Sequence, residues 1–325
     1  HSFGVPHHSL HKLPYFANAF FGLMFVVNST CLRYKSNGWS MRNLLIALGF
    51  VMILSCARLV PYKQVDIVFI AYSNGTGGIY GANLSTGKIF PLYKGSQRVI
   101  PMSPSLNSLH NMLLFISNQG TYYNIYMLNL NSESLNRLTP DDTNYGAPTF
   151  CFNKKIVYVT YRSGNLPQIY QMNMDGTSPG LIISEPAGAT DPVCNDNEIA
   201  YISDPLGSAE LKIYNIVTGV STATGVQGVS SRPAFSPDGT GIVYSRLNHN
   251  GYQALYILNL STMSSTSLLS ADYDAYEPSW GMNNKIAFTT TKDGQLTPDI
   301  YQINPDGTGL KRLINYGDAD GNPSW

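Results

Sequence analysis

Histidine is almost missing from most of this chain: of six, only His110 and His249 lie beyond residue 56. A Ser-His-Asp device needs an imidazole beside its nucleophile, and a multi-histidine metal centre needs several. The repeat described below puts these two in different turns, which excludes both chemistries. Cysteine is also scarce, four in all, and no Cys-x-x-Cys spacing suggests a metal or dithiol site. Acidic residues are absent from the first 40 positions. Lys12, Arg33, Lys35 and Arg42 therefore precede Cys56 unopposed, and the remainder of the chain carries an acidic excess. A mildly acidic domain has no basic footprint for nucleic acid.

What is present is a repeat. Tyr80, Tyr126, Tyr170, Tyr214, Tyr256 and Tyr301 each follow Ile or Leu, at a spacing of roughly 45 residues, the length of one stacked or radial unit. Upstream stands a Pro-x-aromatic step: Pro148-Thr149-Phe150, Pro233-Ala234-Phe235, Pro278-Ser279-Trp280 and Pro323-Ser324-Trp325. Pro192-Val193-Cys194 has lost its aromatic, and Pro101 keeps only the register. Short β-branched or aromatic runs follow at 113–117, 156–160, 199–203, 242–245 and 286–290. They read as strands, and turns rich in Asn, Asp and Gly separate them from the Tyr strand and a fourth strand. Four antiparallel strands per unit match a propeller blade, whose faces are buried only when neighbours stack around an axis. The first unit, from Val65, lacks its Pro-aromatic strand, and residues 322–325 supply that strand alone. The fold expected is an all-β, six-bladed β-propeller over residues 65–325, its ring closed by the C-terminal strand in the blade of Tyr80.

Arg232-Pro233-Ala234-Phe235-Ser236-Pro237-Asp238-Gly239, with Ile242-Val243-Tyr244-Ser245-Arg246 and Leu255-Tyr256-Ile257-Leu258-Asn259, resembles the Ser-Pro-Asp-Gly repeat of the TolB-type propeller family. The resemblance covers roughly residues 65 to 325, strongest in the fifth blade. It implies a six-bladed ring in the bacterial envelope and, by analogy with TolB, binding of partner proteins of the Tol-Pal system. The extra α/β domain that precedes the TolB propeller has no counterpart between residues 57 and 64, so the role of TolB does not transfer whole. The repeat occurs in proteins of unrelated activity and speaks to fold more than to function.

The front of the chain speaks to place. Met41-Arg42-Asn43, the apolar stretch 44–54 and Ser55-Cys56 form a secretory signal, its core too short for a comfortable membrane span. The Ile53-Leu54-Ser55-Cys56 end resembles a bacterial lipobox, which implies a lipidated Cys56 and a membrane-anchored envelope protein, periplasmic or surface-facing. Residues 1–40 read as an over-extended frame ahead of Met41, and 57–64 as a linker. Cys151 and Cys194 lie on innermost strands of adjacent blades at different offsets from their prolines. They are expected to be buried free thiols, because inter-blade spacing disfavours a bridge.

No catalytic constellation is visible. Gly176-Thr177-Ser178-Pro179-Gly180 matches a nucleophile elbow formally but falls in a hairpin turn without a histidine partner. Binding candidates lie on the loops that enter the innermost strands and surround one channel mouth. Asp191, Arg232, Glu277 and Asn322 stand immediately before the prolines, with Asp272, Asp274, Asp318 and Asp320 slightly earlier. They suit a cationic peptide segment or a structural Ca2+, which takes six to eight oxygens; no other cofactor is implied. Tyr122, Tyr123, Tyr145, Tyr161, Tyr252, Tyr273 and Tyr276 are free of the repeat and would favour protein or glycan recognition if several share a face. The expected function is a monomeric, envelope-anchored scaffold that binds an envelope protein or peptide at the channel mouth. The alternative is a glycan-binding module, or a polysaccharide lyase or hydrolase using paired carboxylates such as Asp274 and Glu277.

Overall fold

The β-branched runs become strands because each is buried on both faces. Residues 64–325 are described in a computed structural model, except Gln97, Ser163 and Gln295. The expectations for residues 1–40, for the signal 41–56 with Cys56, and for all but the last residue of the linker lie outside the described residues. Blade 1 contains β1 (Ile67–Ser73), β2 (Thr76–Asn83) and β3 (Lys88–Lys94); blade 2 contains β4 (Pro101–Leu106), β5 (Met112–Ser117), β6 (Asn124–Asn129) and β7 (Leu135–Arg137). Blade 3 is β8 (Tyr145–Cys151), β9 (Lys155–Thr160), β10 (Gln168–Asn173) and β11 (Gly180–Ile183); blade 4 is β12 (Ala189–Cys194), β13 (Glu198–Ser203), β14 (Glu210–Asn215) and β15 (Val220–Ala223). Blade 5 is β16 (Ala234–Phe235), β17 (Gly241–Leu247), β18 (Gln253–Asn259) and β19 (Ser264–Leu269); blade 6 is β20 (Ala275–Trp280), β21 (Ile286–Thr290), β22 (Asp299–Ile303) and β23 (Lys311–Ile314). The last strand, β24 (Ala319–Ser324), joins β1 antiparallel to give the order β24-β1-β2-β3. All six sheets are four-stranded, and the closing strand removes the free inner edge of blade 1.

Each inter-blade interface has its own apolar cluster. Val157 and Val159 of β9 pack toward Ile199 and Tyr201 of blade 4, while Ile156 and Tyr158 pack toward Leu114 and Ile116 of blade 2. A continuous apolar run in sequence is thus two alternating faces in space. Ring closure repeats the pattern where Ile67 and Phe69 meet Ala287 and Ile300. At roughly 1.5–3 kcal/mol per fully buried large aliphatic or aromatic side chain, these interfaces dominate the stabilisation. The repeat tyrosines stack on a ring directly across the ladder: Phe69 with Tyr80 at 6.0 Å and Phe115 with Tyr126 at 5.7 Å. Blade 4 breaks this rule, because Ile199 faces Tyr214.

The cysteine expectation is corrected. Cys151, at the end of β8, and Cys194, at the end of β12, form a disulfide with Cα atoms 5.3 Å apart. Average blade spacing misleads here because innermost strands converge on the axis, bringing neighbouring strand ends within bridging range.

Candidate functional site

The channel wall is built from a bulge repeated around the ring. The inner strands shift register between Met102 and Ser105, Gly146 and Thr149, Thr190 and Val193, and Tyr276 and Ser279. Within each bulge the residue before proline has left-handed backbone: Ser103 (φ 51°), Ala147 (41°), Asp191 (52°) and Glu277 (53°), with Asn322 (51°) equivalent in β24. Proline lacks an N–H and can occupy the site where the ladder is interrupted. Arg232 holds the corresponding place in blade 5, whose inner strand is reduced to Ala234–Phe235 and an isolated bridge between Val229 and Arg246. Asp191, Glu277 and Asn322 are therefore inside the innermost strands, on the channel wall, rather than on the loops leading to them.

Three charges meet there. Arg232 Nη2 donates to the carbonyl of Pro148 at 3.1 Å, reaching from blade 5 to blade 3 past blade 4. Burial pushes the Asp191 carboxyl up, and the Arg232 charge pulls it back. Burial lowers the guanidinium in turn, and Asp191 opposes that shift. Glu277 is also raised by burial, against hydrogen bonds that favour its ionised form. Its Oε2 accepts from Thr289 Oγ1 at 2.7 Å and Asn322 N at 2.9 Å, and its Oε1 from Asn322 Nδ2 at 2.6 Å.

The remaining carboxylates tie loops together. Asp272 accepts from Asn250 Nδ2 at 3.0 Å, and Asp274 from the backbone N–H of Gln253 at 2.9 Å. Asp318 accepts from Asn74 N at 2.9 Å. Asp320 is buried and accepts from the N–H groups of Tyr316 and Gly317. Asp274 and Glu277 are thus committed to donors of different elements. Among the described residues no group of three or more His, Cys, Asp and Glu side chains is placed to hold a metal. His110 lies between β4 and β5 and His249 between β17 and β18, and Ser178 is in the β10–β11 turn. Ser236-Pro237-Asp238-Gly239 is a turn whose Gly239 has φ 71° and whose Ser236 Oγ bonds Asp238 at 2.6 Å.

Two hollows open at the mouth. One, of about 390 Å³ between blades 2, 3 and 4, brings together Tyr123, Tyr145 and Tyr161 with Met102 and Asp191. Another, of about 180 Å³ between blades 6 and 1, combines Tyr72, Tyr276 and Glu277. Tyr122 is 37% exposed on the rim. Sequence reasoning missed Tyr72, the next-to-last residue of β1 in the degenerate first blade; its position after the run Ile67–Ala71 was the available signal. The opposite end holds a third hollow of about 380 Å³ with Trp280, Trp325 and the Cys151–Cys194 pair in its wall.

Comparison with known proteins agrees with this geometry. Residues 191–325 match the family model described as "TolB beta propeller domain". The Tol-Pal system protein TolB of Francisella tularensis subsp. tularensis (strain WY96-3418) is 28% identical over 231 residues, covering 67% of this chain and 52% of the relative. This chain thus spans about half the length of the curated relatives it matches. TolB from Acinetobacter baumannii superposes with a TM-score of 0.66 at 16% identity, over 89% of this chain and 74% of that one. Hydrazine synthase from Kuenenia stuttgartiensis gives 0.65 at 12% identity, over 80% and 46%, so the architecture alone does not decide activity. The repeat, the six closed blades and these matches together make the described part of the chain a TolB-like six-bladed β-propeller.

Proposed function

We propose that this chain is an envelope-anchored binding scaffold, held to a membrane through a lipidated Cys56, that recognises a segment of an envelope protein or peptide at the channel mouth. The observation that carries this reading is the mouth itself: tyrosines and carboxylates held on a rigid ring. Binding residues collect on loops and strand ends of such scaffolds, and aromatic residues and Arg are enriched where proteins meet. Relatives named Tol-Pal system proteins support an envelope setting and a protein partner. The disulfide supports an oxidising compartment, since disulfides persist outside the cytosol. Asp274 and Glu277, the pair weighed for hydrolysis, are each held by donors of different elements, which supports a positioning role for them.

The test is capture from solubilised envelope on the full chain, with Tyr161→Ala at the mouth and Met282→Ala at the opposite end as paired variants. A specific envelope protein retained by the wild type and by Met282→Ala, and lost by Tyr161→Ala, is the expected result. Retention of polysaccharide alone, or of a protein indifferent to Tyr161, refutes the reading. Anchoring is checked separately: Cys56→Ser is expected to move the chain from the membrane to the soluble fraction and to abolish fatty-acid labelling.

A further inference from the structure

We propose that β19, the outer edge of blade 5, pairs antiparallel with β19 of a second copy of this chain, joining two four-stranded blades into one continuous sheet. β19 is not part of the mouth, and the pairing gives a twofold dimer where the sequence suggests a monomer.

Closing the ring protects the inner edges of the blades and leaves the outer ones free, since each sheet ends on β3, β7, β11, β15, β19 or β23 with no further strand beside it. An open edge is a template for another strand unless charge, proline or shortness blunts it. β3 carries Lys88, Pro91 and Lys94, and β23 carries Lys311 and Arg312. β7 has three residues, one of them Arg137, and β11 and β15 have four each. β19 has six, Ser-Ser-Thr-Ser-Leu-Leu, and none of these devices. Its chain neighbourhood is as neutral: from Leu247 to Ala271 there is no Asp, Glu, Lys or Arg.

The usable stretch is residues 264–267, all of them exposed. Beyond it the ladder with β18 shifts register, and Leu268 and Leu269 pack into the cluster shared with blade 6. At the other end Asn259 Oδ1 accepts from the N–H groups of Ser261 and Thr262 at 3.0 and 3.1 Å, and Thr262 Oγ1 lies 2.7 Å from Ser264 Oγ. These contacts hold the hairpin in place, and an edge that needs no ordering loses less on pairing.

Symmetry and side chains select the occupant. Hydrogen-bonded and non-hydrogen-bonded pairs alternate along an antiparallel ladder, so a twofold axis between identical strands must pass through a pair of identical residues. An axis at Thr266 sets Thr266 against its own copy and Ser265 against Ser267, and such hydroxyl pairs across strands are favourable. No charge meets a like charge there. A foreign strand added to an edge is selected by pockets for its alternate side chains, and a row of serine and threonine offers none. Six residues make an edge of about 20 Å, less than a lasting interface needs, so the pairing is weak and reversible.

The test is sedimentation velocity on the full chain in density-matched detergent over a concentration series. The variants are Thr266→Lys, Thr266→Glu and, on the shorter edge of β15, Val220→Lys at a position 57% exposed. Wild type and Val220→Lys are expected to form a dimer as concentration rises. Each Thr266 variant alone is expected to raise the dimer Kd by about 3–10-fold, because like charges meet on the axis. An equimolar mixture of the two is expected to recover the dimer, since opposite charges then meet, and recovery also shows that both variants are folded. A monomer at every concentration, a dimer indifferent to charge at Thr266, an equal loss in Val220→Lys, or no recovery in the mixture each overturns the proposal. A monomeric chain whose capture of an envelope protein is lost in Thr266→Lys gives the edge to a foreign strand and overturns it as well.

Discussion

The two ends of the channel are built from the same strands and finished differently. At the mouth, side chains are polar or aromatic, partly exposed, and carried on bulges with left-handed backbone. At the opposite end the inner strands finish in Phe150, Phe235, Trp280 and Trp325, and a disulfide joins blades 3 and 4 where Cys194 replaces the aromatic of the motif. One end, the closed end, is tied covalently between two blades, and the mouth is held by hydrogen bonds between its loops. Substitutions at the closed end should therefore act on stability, substitutions of exposed mouth side chains such as Tyr161 on binding, and those of hydrogen-bonded mouth carboxylates such as Glu277 on stability to a smaller extent.

The largest expected effect is at the closed end. Cys151→Ser with Cys194→Ser, which opens a sequence separation of 43 residues, should cost about 2–4 kcal/mol in denaturant unfolding and leave partner binding unchanged. Gly281→Ala should follow at about 1–3 kcal/mol, because a Cβ there would stand 2.7 Å from the Trp325 ring and must push it aside. At the mouth, Glu277→Ala strands the Asn322 and Thr289 donors and should cost about 1–3 kcal/mol, whereas Glu277→Gln, which keeps acceptor capacity, should cost less.

The same residue sharpens the contrast through pH. Burial raises the Glu277 pKa above its ordinary 4.5, so the folded state binds its proton more tightly than the unfolded state. Its contribution is fully present below that ordinary value and is lost as pH rises through the folded value. Exposed carboxylates such as Asp238 and Asp306, lowered by hydrogen bonds from Ser236 and Thr308 respectively, act in the opposite sense. Unfolding curves of Glu277→Gln and wild type should therefore differ in slope from about pH 4.5 upward, with the variant falling less. The smallest effect is expected at Ala147, whose φ of 41° glycine adopts without strain: Ala147→Gly should stabilise by at most about 1 kcal/mol.

Much of the ring was legible because its physics is local and repeated. The tyrosine period marked each blade, the β-branched runs marked strands buried on both faces, and the terminal Pro-Ser-Trp marked the closing strand β24. The rest depended on the third dimension. Nothing in the sequence reveals that the strand ends bearing Cys151 and Cys194 converge, since their unequal offsets from proline look incompatible on a regular ladder, yet their Cα atoms lie 5.3 Å apart. Asp191, Arg232 and Glu277 were recognisable by position before proline, but their meeting inside the channel follows from the bulge, which alternation does not encode. The carboxylates of Asp272, Asp274, Asp318 and Asp320 turned out to pin neighbouring loops, because short acidic side chains beside a turn accept from the nearest free N–H or amide group.

The central claim is that a partner engages the mouth and not the closed end. It is tested most directly by placing a photo-reactive residue at Tyr161, 42% exposed, or at Met282, 75% exposed, in the full chain and irradiating intact cells. Cross-links to a discrete envelope protein from Tyr161 and none from the more exposed Met282 are expected; cross-links from Met282 alone, or equally from both positions, would contradict it.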